Sequence, residues 1–142
     1  MTMVPIAAAS WLRIACSMVR ELFALFLGFI LWTAAWGGGG TLIAGLHAGP
    51  GNAFAIPEMQ ALLLIYSVIC SVVTGMMMGA LCRRRETVLL LAILLVAPYP
   101  FLFSNAAEPV PLAFSLPFIL AIVPSVLLGA QAWLRVANRL EE

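Results

Sequence analysis

Residues 59–82 read MQALLLIYSVICSVVTGMMMGALC, a stretch without a charged side chain, and Arg83, Arg84 and Arg85 follow it directly. A helix needs about 20 apolar residues to cross a hydrocarbon core of about 30 Å, and this stretch is long enough. A charged side chain is costly at the centre of a bilayer, so the three arginines mark the end of the span. The stretch predicts a transmembrane helix.

Three further uncharged stretches have the length of a membrane span, and they cover residues 22–46, 87–104 and 112–134. The whole chain is 64% hydrophobic and 9% charged, with a mean hydropathy of +1.11. A soluble domain is about 45–50% apolar and about 25% charged, and a disordered chain is less apolar still. We therefore predict an all-α polytopic membrane protein, in which residues 1–142 form one domain, a bundle of four transmembrane helices.

The arginines predict the orientation of this bundle. All seven basic residues are arginines, and they lie before the first span, between the second and third spans, or after the fourth. An even number of spans places these three regions on one side, and the positive-inside rule makes that side cytoplasmic. We predict a multi-pass protein of a cell membrane, the bacterial inner membrane, with both termini in the cytoplasm. The predicted cytoplasmic anchors are Arg83, Arg84, Arg85, Arg135 and Arg139.

The segments that flank the bundle are amphipathic. Within residues 1–21, polar side chains recur at helical spacing as Ser10, Arg13, Ser17 and Arg20. This spacing predicts a short helix that lies in the inner interface with its arginines toward the lipid headgroups, or else a solvated helix end that anchors the bundle. Residues 135–142 are predicted to form a cytoplasmic tail.

Two spans carry small residues at steps of four, which places each set on one side of its helix. Transmembrane helices associate through close backbone contact, because lipid is as apolar as leucine, and small residues allow that contact. We expect these rows to pack within the bundle, or alternatively to form a homodimer or partner interface. The rows are Ser67, Ser71, Gly75 and Gly79, which include a GxxxG motif, and Thr33, Gly37, Thr41 and Gly45.

Four consecutive glycines occupy residues 37–40 in the first span. Each costs about 1 kcal/mol relative to alanine in a helix, so the run predicts a loosened or broken helix. A discontinuous helix would expose backbone groups to an ion or small substrate, with Trp32, Trp36, Gly38 and Gly39 around the opening and His47 as a possible ligand. The alternatives are a neighbouring helix that approaches closely and a helix that ends early.

The residue types that most enzymes need are scarce in this chain. It has one histidine, no aspartate and no lysine, its spans hold no acidic residue, and its three cysteines form no CxxC pair. We predict no enzymatic activity, no metal and no cofactor, and a net charge of +1 gives no reason to expect nucleic acid as a partner.

The expected partners are the lipid bilayer and other transmembrane helices, in a homo-oligomer or a larger membrane complex. The leading hypothesis is therefore a non-catalytic accessory, scaffold or assembly subunit that packs against other membrane helices. The alternative is a small oligomeric channel or transporter with an interrupted first helix.

Overall fold

A computed structural model describes residues 6–47, 56–82, 84–104 and 110–140, and the regular elements among them are all helices. The protein is thus all-helical, and four of its segments are long and apolar enough to cross a membrane: Ile14–Leu46, Pro57–Leu81, Arg85–Leu102 and Leu112–Leu140. The helices are α1 (Ile6–His47), α2 (Pro57–Leu81), α3 (Arg85–Val96), α4 (Tyr99–Ser104) and α5 (Leu112–Leu140).

Helix α1 is continuous from Ile6 to His47, a length of 42 residues. At 1.5 Å per residue it is about 63 Å long, roughly twice the thickness of the hydrocarbon core. Residues 6–27 contain neither glycine nor proline, so nothing in the sequence stops the helix before the first span. The amphipathic N-terminal segment is therefore helical and continuous with the first span, as the first part of α1.

The glycine run also leaves α1 unbroken, so the predicted interruption at residues 37–40 is wrong. Four glycines cost about 4 kcal/mol of helix propensity, but each unpaired backbone group in hydrocarbon costs several kcal/mol. Keeping the helical hydrogen bonds is therefore the favourable choice at this depth. The hydroxyl of Thr41 also donates to the carbonyls of Gly37 and Gly38, at 2.8 and 2.9 Å.

The third span is divided by a turn. Helix α3 ends at Val96, Ala97 and Pro98 form the turn, and the six-residue α4 completes the segment. Pro98 has no N–H to continue the helical ladder, which explains the break. The chain resumes helical bonding at once, since the amide of Leu102 donates to the carbonyl of Pro98 at 2.9 Å.

The core of the bundle is the crossing of α2 and α5, which make the most extensive contact of any helix pair. A Cβ atom built on Gly75 would lie 2.0 Å from the carbonyl oxygen of Val126, and one on Gly129 would lie 2.1 Å from that of Val72. Each helix thus presses its backbone against a glycine of the other. Helix α1 packs mainly on α2, and α3 packs mainly on α5, on the flanks of this crossing.

These contacts predict which glycines the fold requires. We expect Gly75→Ala and Gly129→Ala each to lower the free energy of unfolding by about 2–3 kcal/mol, because the opposing atoms are backbone and cannot move aside. Gly38→Ala is the matched control, since nothing lies within 4 Å of its Cβ position. It should leave stability unchanged or raise it by up to about 1 kcal/mol. Thermal unfolding in detergent measures all three, and an equal effect of the three substitutions would contradict this packing.

Candidate functional site

Five aromatic side chains from three helices, α1, α4 and α5, form a cluster in the half of the bundle that contains α4. The rings of Trp32 and Trp36 stack, with centroids 5.8 Å apart and planes 4° apart. Tyr99 of α4 meets both indoles edge-on, and its ring centroid is 4.9 Å from that of Phe118 in α5. Phe114 stacks on Phe118 at 5.5 Å. The two tryptophans therefore join α1 to α4 and α5, and they line no cavity described here.

Two hydrogen bonds attach α1 to α2. The indole N–H of Trp32 donates to the hydroxyl of Ser71 at 3.0 Å, and both side chains are fully buried. The hydroxyl of Tyr66 donates to the backbone carbonyl of Ala35 at 2.8 Å. That carbonyl belongs to the turn before the glycine run, and a Cβ on Gly39 would overlap the Tyr66 hydroxyl at 1.9 Å. Gly39 thus makes room for the hydroxyl that bonds to Ala35.

The two rows of small residues have different surroundings. All four members of the α2 row are buried, with Ser71 against α1 and with Gly75 and Gly79 against α5. The α1 row points away from the bundle: Thr33, Thr41 and Gly45 are exposed. Among the described residues, apart from the backbone of α1 itself, no atom lies within 4 Å of a Cβ placed on Gly37, Gly38 or Gly45.

Among the described residues of α2 and α5, the exposed rows with this spacing carry larger side chains. On α2 the row consists of Ile65, Ile69, Val73 and Met77, and on α5 the exposed row includes Leu112, Leu116, Leu120 and Leu128. The part of α1 nearer Glu21 is bulky as well, with Leu22, Phe26 and Ile30 exposed. The change to small residues begins only in the part of α1 nearer His47. The row Thr33, Gly37, Thr41 and Gly45 carries no side chain larger than threonine, and we call it the α1 groove; the exposed Leu42 borders it.

At the opposite end of the bundle, Glu21 of α1 meets the turn between α2 and α3. Its Oε2 accepts a hydrogen bond from the hydroxyl of Thr87, and its Oε1 lies 4.0 Å from Nε of Arg84. The Glu21 side chain is only 12% exposed, and Oε1 has no hydrogen-bond donor among the described residues. The carboxylate is therefore held beside the largely solvated guanidinium of Arg84. This contact ties the start of the first span to the start of the third.

Cys82 lies in the same region, immediately after α2. Burial raises the pKa of its thiol above the ordinary value, and the negative charge of Glu21 raises it further, while Arg20 lowers it. A buried thiol with a raised pKa holds little thiolate near neutral pH and is a poor nucleophile. Cys16, by contrast, is exposed on α1.

The remaining predicted site residues do not converge on one centre. Arg84, Arg85, Arg135 and Arg139 are exposed at the Glu21 end, and Arg83 lies outside the described residues. His47 is the last residue of α1, at the other end, and the description does not extend to its side chain. The three described cavities all lie at the Glu21 end, remote from the glycine run. With α1 continuous, the channel alternative has lost the broken helix that motivated it.

Some of these contacts have no counterpart in the sequence analysis. Tyr99, Phe118 and Tyr66 are not among the predicted site residues, and neither is the Glu21–Thr87 pair, which joins positions 66 residues apart. The sequence does hold one signal for the aromatic cluster. Trp32 and Trp36 share a face of α1, and Phe114 and Phe118 share a face of α5. Which rows meet depends on the helix arrangement.

Comparisons of this chain with protein-family models, with curated proteins and with solved structures find no match. The functional inference therefore rests on the geometry described above.

We predict that the Glu21 contact contributes measurably to stability. Glu21→Ala should lower the free energy of unfolding by about 1.5–3 kcal/mol, because it removes a charged acceptor and leaves the Thr87 hydroxyl unpaired. Glu86→Ala is the matched control, since Glu86 is exposed in the first turn of α3. Its removal should cost less than about 1 kcal/mol. Thermal unfolding in detergent compares the two, and equal losses would show that the Glu21 contact adds nothing specific.

Proposed function

We propose that this chain is a non-catalytic assembly subunit of an integral membrane complex, and that it binds a transmembrane helix of a partner in the α1 groove. The observation that carries the proposal is the outward position of the Thr33, Gly37, Thr41 and Gly45 row, described above. The corresponding row of α2 is filled by helices of the same chain. The α1 groove is a surface of the same kind without an occupant among the described residues.

The size of the side chains distinguishes this groove from a surface that only meets lipid. Helix association in a bilayer depends on van der Waals contact and interhelical hydrogen bonds, and a row of glycine and threonine lets two backbones approach closely. The exposed rows of α2 and α5 carry isoleucine, leucine, valine and methionine, which hold a second helix further away. A partner helix therefore gains more contact in the α1 groove than on either of those rows.

The polar groups of the groove are already satisfied, so docking leaves none unpaired. The hydroxyl of Thr33 donates to the carbonyl of Phe29, and that of Thr41 donates to Gly37 and Gly38. The threonines therefore stay bonded to their own helix when the surface is covered. A groove of this kind accepts an apolar helix without a desolvation penalty for unpaired donors.

The direct test is the size of the complex extracted from native membranes in a mild detergent. We expect the wild-type chain, of 15.2 kDa, to run in native mass measurement with at least one further polypeptide. The double substitution Gly37→Leu with Gly45→Leu fills the groove and should reduce the complexed fraction roughly tenfold, the effect of losing about 1–2 kcal/mol of helix packing.

The matched control adds the same bulk to another exposed surface. Ala61→Leu with Ala80→Leu places two leucines on exposed positions of α2, and this variant should keep the wild-type complex. Extraction of the wild-type chain as a partner-free monomer would overturn the proposal. So would an equal loss of complex in the groove and control variants.

We also propose that the chain lies in the bacterial inner membrane with its arginine-rich end in the cytoplasm. The contacts of Glu21 with Arg84 and of Gly79 with Ala130 bring the first part of α1, the α2–α3 turn and the last part of α5 to one end of the bundle. The positive-inside rule then supports a cytoplasmic position for that end.

A membrane-impermeant maleimide tests this orientation. In a Cys16→Ser background, Asn138→Cys places an exposed thiol after the fourth predicted span, and it should react in inverted vesicles but not in intact cells. Glu58→Cys, in the exposed first turn of α2, should show the reverse pattern. The native Cys70 and Cys82 are buried and should contribute little background. Labelling of Asn138→Cys from intact cells would contradict the proposed orientation.

A further inference from the structure

A cavity of about 210 Å³ opens between the α2–α3 turn and α5, at the arginine-rich end of the bundle. Its polar lining comes from Arg84, Arg85 and Gln131, and none of the described residues that line it carries a carboxylate. At about 30 Å³ per water, this volume corresponds to roughly seven water molecules. It has room for a phosphate group and the glycerol carbons attached to it.

The lining changes from polar to apolar with depth. Val88 follows Arg84 by one helical turn in α3, and Leu127 precedes Gln131 by one turn in α5, so both apolar side chains lie about 5–6 Å further into the bundle. The two arginines therefore stand at the level of the helix ends with Val88 and Leu127 deeper, while Leu134 adds an apolar side chain about one turn nearer the end of α5 than Gln131. A phospholipid has the same order, with its phosphate at the headgroup level and its acyl chains below.

A second cavity extends the first along the outside of the bundle. It shares Arg85 and Leu127 with the first and is completed by Glu86 and Leu89. Arg85 therefore borders both cavities, while Leu89 and Leu127 provide an apolar surface that continues from the charged opening. Glu86 is exposed and lines only the second cavity, so its carboxylate does not border the first.

From this arrangement we infer that the cavity binds one anionic phospholipid, with its phosphate against Arg85 and Arg84 and an acyl chain along Leu127 and Leu89. Arginine forms charge-assisted, often bidentate hydrogen bonds to phosphate, and Gln131 adds an uncharged donor. Basic cavities between transmembrane helices bind lipid headgroups on this physical basis. Arg84 also faces Glu21, so Arg85 is the principal contact with the phosphate.

The test uses the full-length chain, freed of lipid in detergent and titrated with phosphatidylglycerol or with zwitterionic phosphatidylcholine. Native mass spectrometry measures the fraction of protein that retains one lipid. We expect tighter retention of phosphatidylglycerol, and a decrease of about tenfold in its affinity for Arg85→Gln, the size expected for one charge-assisted hydrogen bond. Arg139→Gln removes the same charge from an exposed position outside the cavity and should change the affinity less than twofold.

A second pair of variants separates the shape of the cavity from its charge. Leu134→Trp narrows the cavity without changing any charge and should also weaken phosphatidylglycerol binding severalfold. Leu128→Trp adds the same bulk to an exposed position of α5 outside the lining and should have no effect. Gel filtration confirms that each variant keeps its fold, and a misfolded variant is replaced by Leu127→Phe.

Three results would overturn the inference. Equal retention of the two lipids would show that the cavity does not select an anionic lipid. Equal losses for Arg85→Gln and Arg139→Gln would show attraction to the general surface charge and no defined site. Displacement of phosphatidylglycerol by inorganic phosphate at the same concentration would show that the cavity binds free phosphate, and it would exclude the lipid as the ligand.

Discussion

The crossing of α2 and α5 is the constraint on which the other contacts of the bundle depend. Gly75 and Gly129 lie against opposing carbonyls, so the two backbones meet at a distance that no side chain can occupy. Once this distance is set, α1 can reach α2 at Ser71, and α3 and α4 can lie against α5. The small residues bring no hydrophobic gain in lipid, and they act by allowing close contact.

The sequence alone predicts the four spans well, because their lengths follow from the thickness of the bilayer and their ends from the placement of charge. It predicts less well what happens inside a span. The low helix propensity of glycine favours a break at residues 37–40. The backbone groups there need hydrogen bonds in the hydrocarbon, however, and this need keeps the helix intact. Helix α5 likewise stays intact through Pro117 and Pro124, which are seven residues apart, whereas the closely spaced Pro98 and Pro100 accompany the break after α3.

The candidate site depends on a second kind of information. Periodicity identifies rows of small residues on α1 and α2, but it treats the two rows alike. Only the assembled bundle separates them, because it places Gly75 against α5 and leaves Gly37 in open space. The aromatic cluster and the Glu21–Thr87 pair join residues distant in the chain, and one sequence holds no direct signal of such pairings.

The position of α1 explains how one small chain can both fold and offer a surface. Its span is the least buried of the four, and specific side chains attach it to the other helices: Trp32 and Tyr66 in the half near the glycine run, and Glu21 at the opposite end. These contacts use one side of the helix, and the groove occupies the other. A partner helix in the groove would bury the least buried span of the protein without touching the α2–α5 crossing. The α2–α5 crossing and the proposed docking surface use different glycines, so substitution can separate stability from the proposed assembly.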